Sequence, residues 1–325
     1  MPDSRDWQKF YRRSLRTSFF LVLLLVLVGG LVRSTGSGLG CPDWPKCFGL
    51  WIPPTDIRQI PLEFWNHPLS SADGKIVFNP LKTWIEYLNR LLGVIIGFAI
   101  LVQAAVSVYT AAPRNARFLS IFSLVLVLFQ GWLGSVVVSS DLRPMIISLH
   151  LFVALIIAIA LLAALFFTGS ADPQFGWYPE KPAPFRLLVA ICSAVLILQF
   201  YIGTEVRSQV DALFREFDFA SRDLYADRLD VRFLKHRSFS IVVLILLLLQ
   251  FRYSGKWFSY SFLWVPALPV LLVLGLILSG VILNYFRFPA FVQPFHLLLG
   301  LSIVCSQSWI ALHLYYRKNP EMNSV

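Results

Sequence analysis

Charged residues punctuate this chain at long intervals, and the stretches between them are apolar. No Asp, Glu, Lys or Arg lies between Arg16 and Arg33, Arg90 and Arg114, Arg117 and Asp141, Arg143 and Asp172, or Arg186 and Glu205. Three further windows follow, Arg237 to Arg252, Lys256 to Arg287 and Arg287 to Arg317. A helix crossing a bilayer needs about 20 apolar residues, with roughly 17 at the short end. Each window therefore predicts a transmembrane helix, and the fold class is an all-α membrane protein. The sixth window is short and must borrow residues at its ends, with Arg252 snorkelling to the interface.

The pattern breaks at the head of the second span, WIEYLNRLLGVIIGFAI, residues 84–100. Glu86 and Asn89 are i, i+3 and Glu86 and Arg90 are i, i+4, so the three polar groups share one helix face. That face must meet something polar.

Composition agrees with a membrane chain: 57% of residues are hydrophobic and 14% charged, with a mean hydropathy of +0.68. The net charge of +10 needs no nucleic-acid partner, because the basic residues set orientation. Arg5, Lys9, Arg12, Arg13 and Arg16 precede the first span and place the N-terminus in the cytoplasm. Eight spans return Arg317 and Lys318 to the same side, and Arg114 with Arg117, Lys181 with Arg186 and Arg252 with Lys256 fall on cytoplasmic turns. Residues 205–237 dissent, an outside loop with seven basic and seven acidic residues. Residues 1–33 also have the basic start and apolar core of a signal peptide; the internal repeat argues for a retained span. Cys192 and Cys305 lie within spans as packing residues. Cys41 and Cys47, in GLGCPDWPKCFG of the first outside loop, are expected to pair as a disulfide where conditions are oxidising. A metal pair is the rival reading, with no His or further Cys close by in sequence.

The chain is written twice. Asn89-Arg90 heads the second span and His236-Arg237 the sixth; Gly134 precedes His150 by the same spacing as Gly280 precedes His296; the first span ends GGLVRS and the fifth GTEVRS. Duplicated halves are common in membrane folds, and the landmarks divide this chain into two four-helix bundles, residues 1–170 and 171–325. With the N-terminus inside, Asn89, His150, His236 and His296 all fall at the outer ends of even-numbered spans. They share one membrane depth.

Two histidines from facing helices are a usual way to hold a haem, with imidazole on both axial positions. His236 and His296 fit that arrangement, and for a repeated pair it outweighs the alternative of separate interfacial hydrogen bonds. Arg33, Arg90, Arg207 and Arg237 lie at the level of haem propionates or of lipid phosphates. In the N-terminal half Asn89 replaces histidine, and Glu86 stands where the other half has Phe233. A carboxamide is a poor iron ligand, so a haem held there by His150 would have a weakly filled or open position beside a carboxylate. Against this, Glu86 could be a helix-start carboxylate paired with Arg90, and Asn89 the decay of a redundant site. His67 and His313 read as interfacial residues. The loop from Ser34 to Lys82, with Trp44, Trp51 and Trp65, suits a lid on the membrane surface. Val210, Leu213, Phe214 and Phe217 form an amphipathic stretch in the third outside loop.

GGLVRSTGSGLGCPDWPKCFG, the Glu86-to-Arg90 motif, GWLGSVVVSSDLRP leading to His150, and FHLLLG around His296 together resemble the haem A synthase family over all eight spans. The resemblance implies a duplicated four-helix enzyme of the bacterial plasma membrane that oxidises a methyl group of haem O to a formyl group. It implies haem b held by His236 and His296 with Arg237 as a further contact, and substrate haem near Glu86, Asn89, Arg90 and His150. Glu86 is then placed to orient substrate or accept a proton, so the polar face of the second span would meet a haem edge. The family pattern has histidine at Asn89, so two-histidine ligation of the substrate does not carry over. Partners implied are haem O, haem O synthase or terminal oxidase assembly factors, and membrane lipid. Three rivals remain. A di-haem electron carrier predicts like ligation in both halves. A prenyltransferase would need a second acidic cluster beside Asp223 and Asp227. A transporter would break its helices at the midplane.

Overall fold

The computed structural model describes residues 4–64, 78–170, 183–217, 225–255 and 262–315. Eight helices in it are long and apolar enough to cross a membrane: α1 Ser4–Ser34, α2 Pro80–Tyr109, α3 Arg114–Ser139, α4 Pro144–Leu165, α5 Ala183–Phe217, α7 Val231–Ser254, α8 Trp264–Tyr285 and α9 Val292–Tyr315. Between α5 and α7 lies a single turn, α6, Tyr225–Arg228. No strand is found among the described residues.

Three of the helices begin at recognisable start signals. The side chain of Asn79 accepts from Lys82 N–H with Pro80 in the first turn of α2, and Pro144 occupies the same position in α4; a proline there loses no helical hydrogen bond. Asp230 caps α7 through Arg232 N–H. Because of these caps α2 and α7 begin well before their charge-free windows. Glu86, Asn89 and Arg90 consequently lie in the second and third turns of α2. The short sixth span is extended in the same way at its start, with Arg252 in the last turn of α7.

Packing follows two closed circuits. α1 and α3 each pack against both α2 and α4, while α5 and α8 each pack against both α7 and α9. The circuits meet where α1 and α4 lie on α9. α4 is the most enclosed helix, and its small residues Ala154, Ala158, Ala160, Ala163 and Ala164 are all buried. Small side chains let helix backbones approach where lipid supplies no hydrophobic drive. At Gly30 a Cβ would stand 2.8 Å from Pro294 Cβ and 3.0 Å from its Cα, which fixes how closely α1 approaches α9. Outward positions such as Phe98, Phe118, Leu128 and Leu271 are exposed apolar side chains, as a lipid-facing surface requires.

One segment differs from the sequence reading. The amphipathic stretch assigned to the third outside loop is helical, because α5 continues unbroken to Phe217. Val210, Leu213 and Phe214 are buried with Tyr225 and Phe288 rather than spread on a membrane surface. The charges of this stretch are partly paired within the fold: Asp211 accepts from two arginines, as described below. Trp65, His67, Lys181, Asp223, Lys256, Arg317 and Lys318, and the side chains of Phe217 and Asp227, lie outside the described residues.

Candidate functional site

His236 sits in the second turn of α7 and His296 near the start of α9, and their ring centres are 6.2 Å apart. Each is held from its own side. Gln199 on α5 donates to the His236 carbonyl at 3.0 Å, and Ser279 Oγ lies 2.8 Å from His296 Nδ1. Both rings line a cavity of about 350 Å³ with Phe200, Ile303 and the arginines 33, 207 and 237, within the usual range of ligand pockets. The pair fits an iron between its rings. A metal–imidazole bond is about 2.0–2.1 Å, and a ring centre lies roughly 1.1 Å beyond its nitrogen, so two imidazoles sharing a metal have centres about 6.2–6.4 Å apart. A flat, largely apolar group with two carboxylates also suits walls that combine aromatic side chains with guanidinium groups.

The arginines are not alike. Arg33 Nε donates to Asp211 Oδ1 at 2.6 Å, and Arg207 Nη1 donates to Asp211 Oδ2 at 2.9 Å. Arg207 also donates to Ser148 Oγ at 2.8 Å and to the Pro144 carbonyl at 3.1 Å. Arg237 stacks over Phe233 at 5.9 Å and makes no ion pair among the described residues. Three cations against one carboxylate leave a surplus of two positive charges at the cavity wall.

On the polar face of α2, Glu86 and Arg90 form the i, i+4 pair and together meet the disulfide loop. Cys41 and Cys47 are joined by a disulfide, and both are fully buried. Arg90 donates to the carbonyls of Asp43 at 2.6 Å, Lys46 at 3.0 Å and Cys41 at 3.1 Å, as well as to Glu86. Glu86 in turn accepts from Cys41 N–H at 2.9 Å. The pair thus clamps the disulfide loop to the helix, with Thr83 Oγ1 donating to the Gly40 carbonyl at 2.9 Å. Within the loop, Asp43 accepts from Phe48 and Gly49 N–H. Tyr87 donates to the Trp51 carbonyl, fixing the lid expected from its tryptophans to α2.

Asn89 and His150 take no part in that clamp. The His150 carbonyl accepts from Gln130 on α3 at 2.8 Å, as the His236 carbonyl does from Gln199. Asn89 Oδ1 and the Nδ1 atoms of His150 and His236 are buried without a hydrogen-bond partner. Buried polar atoms rarely stay unpaired; a bound molecule could satisfy Asn89 Oδ1, whereas a metal on Nε2 would leave the two imidazole Nδ1 atoms as they are. Every one of the four positions also faces a glycine on a neighbouring helix. A Cβ on Gly29 would lie 3.9 Å from Asn89 Oδ1, on Gly134 3.6 Å from His150 Cε1, on Gly203 3.2 Å from His236 Cε1, and on Gly280 3.6 Å from His296 Cε1. Gly134 and Gly280 stand out in the sequence by their spacing from histidine; Gly29 and Gly203 were missed, although they open the matched GGLVRS and GTEVRS. Asp211 was missed as well, since its partner Arg33 lies on another helix, 178 residues away.

Residues 12–308 match the COX15-CtaA family of cytochrome oxidase assembly proteins. Among similar proteins, one named Heme A synthase from Shouchella clausii is 32% identical over 80% of this chain and 82% of its own. Another of that name, from Alkalihalophilus pseudofirmus, is 26% identical over 88% and 90%, and one from Orientia tsutsugamushi is 32% identical over 46% and 45%. Two histidines at iron-bridging distance, a disulfide loop bound to α2 and a family match across all eight helices agree: this chain belongs to the COX15-CtaA family of cytochrome oxidase assembly proteins.

Proposed function

We propose that this protein is a haem A synthase, oxidising the methyl group of haem O to the formyl group of haem A for terminal oxidases. The observation that carries this reading is the His236–His296 pair across its cavity in a chain of this family. Residues 171–325 form the cofactor half, where His236 and His296 bind haem b and Arg237 offers a guanidinium to a propionate. Residues 1–170 form the substrate half, with haem O near Glu86, Asn89, Arg90 and His150. Both termini are cytoplasmic and the sites lie toward the outer face of a bacterial plasma membrane, as the basic N-terminal residues favour. Haem O synthase upstream and oxidase assembly factors downstream are the natural partners.

Bound haem supplies the redox chemistry; the protein supplies placement. Each of two successive hydroxylations would replace a methyl C–H by C–OH with loss of two electrons to an external oxidant of the dioxygen or quinone class, with water or dioxygen as the oxygen source, and the resulting geminal diol loses water to leave the formyl group. His150, near the start of α4, would hold the substrate iron. Glu86, buried and the only carboxylate on the polar face of α2, is the group placed to orient the substrate edge or take a proton. Its bond to Cys41 N–H ties that role to the state of the disulfide loop.

Purified from cells that make haem O, the protein should yield haem B together with haem O or A on extraction and mass analysis. Haem B alone would support the electron carrier instead. His236→Ala or His296→Ala should remove the low-spin haem b spectrum and haem A together. His150→Ala should spare that spectrum and abolish product; loss of the spectrum would mean the halves are assigned the wrong way round.

A further inference from the structure

Four side chains occupy equivalent positions in the repeat, each against its own glycine, and three of them are histidine. The exception is Asn89. Its amide atoms branch from Cγ, at the depth of an imidazole Nδ1, whereas the Nε2 that binds iron in a histidine lies one bond further out. Asn89 therefore falls short of an iron centred for imidazole ligation, and an amide is in any case weakly basic. The distance lost is enough for a small molecule. Asn89 Oδ1 is buried with no hydrogen-bond partner, and Glu86 and Arg90, its neighbours on the same face, are committed to each other and to the disulfide loop. Nothing else among the described residues hydrogen-bonds to that atom.

We propose that the haem of the N-terminal site has His150 as its single protein ligand, and that its sixth position is open to a small exogenous molecule held by a hydrogen bond to the Asn89 carboxamide. This rests on the reading of residues 1–170 as a haem site. The two sites then differ in kind. Two imidazoles close the iron between His236 and His296, which suits it to electron transfer. One imidazole with a polar group opposite leaves the other iron reactive, since the polarity and access of the distal side decide between those behaviours. Asn89 is a positioning residue, touching the iron's ligand rather than the iron.

The test uses the full-length protein in detergent, titrated with haem B to saturation, reduced and exposed to carbon monoxide. Two haems should bind, and one of the two should form a carbon monoxide complex. Asn89→His should abolish that complex and convert the site to a six-coordinate low-spin spectrum. Asn89→Ala should keep the complex and shift its C–O stretching frequency, as loss of the carboxamide's N–H donors and dipole beside the bound carbon monoxide would and a purely structural role would not. Two haems that both refuse carbon monoxide overturn the inference, as does an unchanged complex in Asn89→His. A protein that saturates at one haem overturns the reading of the N-terminal half on which the inference stands, and the stoichiometry tells the two failures apart. Were Asn89→His not to fold, the wild-type titration decides alone.

Discussion

Ser279 shows how a single hydroxyl sets which ring nitrogen of His296 is left free. Its Oγ donates to the Leu276 carbonyl at 3.0 Å, so at 2.8 Å it accepts from His296 Nδ1. That bond places the ring proton on Nδ1 and leaves Nε2 free to bind iron, the usual way an outer partner orients a metal-binding histidine. Loss of such partners typically costs about 10–100-fold in metal affinity. Ser279→Ala should therefore keep the low-spin spectrum but release haem to excess apomyoglobin about 10-fold faster; an unchanged transfer rate would mean the hydroxyl serves the helix alone. Glu86 poses a different question at this scale. Glu86→Gln keeps its shape and removes its charge, so the haem b spectrum should persist while product formation collapses. Haem A made at the wild-type rate by that variant would end any catalytic role for the carboxylate and leave it as the loop clamp. The histidines were legible in the sequence because they repeat. The pairing of Glu86 with Arg90 was legible from their i, i+4 spacing, whereas its bond to Cys41 N–H was not, because Cys41 lies in a loop far from α2 in the chain and no local spacing relates the two.

At the scale of elements, the disulfide loop and α2 form one unit, and their contact depends on Gly40. A Cβ there would stand 2.6 Å from the Lys82 carbonyl oxygen and 2.8 Å from Thr83 N. Neither backbone atom can move without disturbing the start of α2. Gly40→Ala should lift the loop, with the cost of overpacking, about 1–3 kcal/mol. Alkylation after mild reduction reads this directly: Cys41 and Cys47, fully buried in the native chain, should label faster in the variant, while Cys192 and Cys305, also buried, should stay protected until denaturation. Equal labelling rates would show that the loop is held by Arg90 alone. The helices themselves were legible from the charge-free windows, and Asn79, Pro144 and Asp230 account for where α2, α4 and α7 begin. The extension of α5 to Phe217 was not, because Glu205, Arg207, Asp211 and Glu216 give that stretch the composition of a loop. Only folding pairs Arg207 and Asp211 off one turn apart.

For the molecule as a whole, repeated landmarks in the sequence point to two circuits of four helices but not to how they are joined, since a repeat pattern is silent about contacts between copies. Asp211 supplies one joint. Arg33 from α1 and Arg207 from α5, matched by GGLVRS and GTEVRS, both end on its carboxylate, and Arg207 continues to Pro144 and Ser148 on α4. The same arginines line the His236–His296 cavity. The carboxylate's side chain is 12% exposed, enclosed enough for its loss to leave two cations poorly compensated. Breaking a buried ion pair costs about 3–5 kcal/mol, and partial exposure puts Asp211→Asn toward the lower end of that range. The variant should unfold at lower temperature in detergent when free of haem, and haem B should recover part of the loss, because propionates would supply the missing negative charge. Arg33→Gln combined with Asp211→Asn should be less damaging than the sum of the two. Strict additivity in that cycle, measured by thermal unfolding, would show that Asp211 serves α5 alone and that the two circuits are joined by the packing of α1 and α4 on α9.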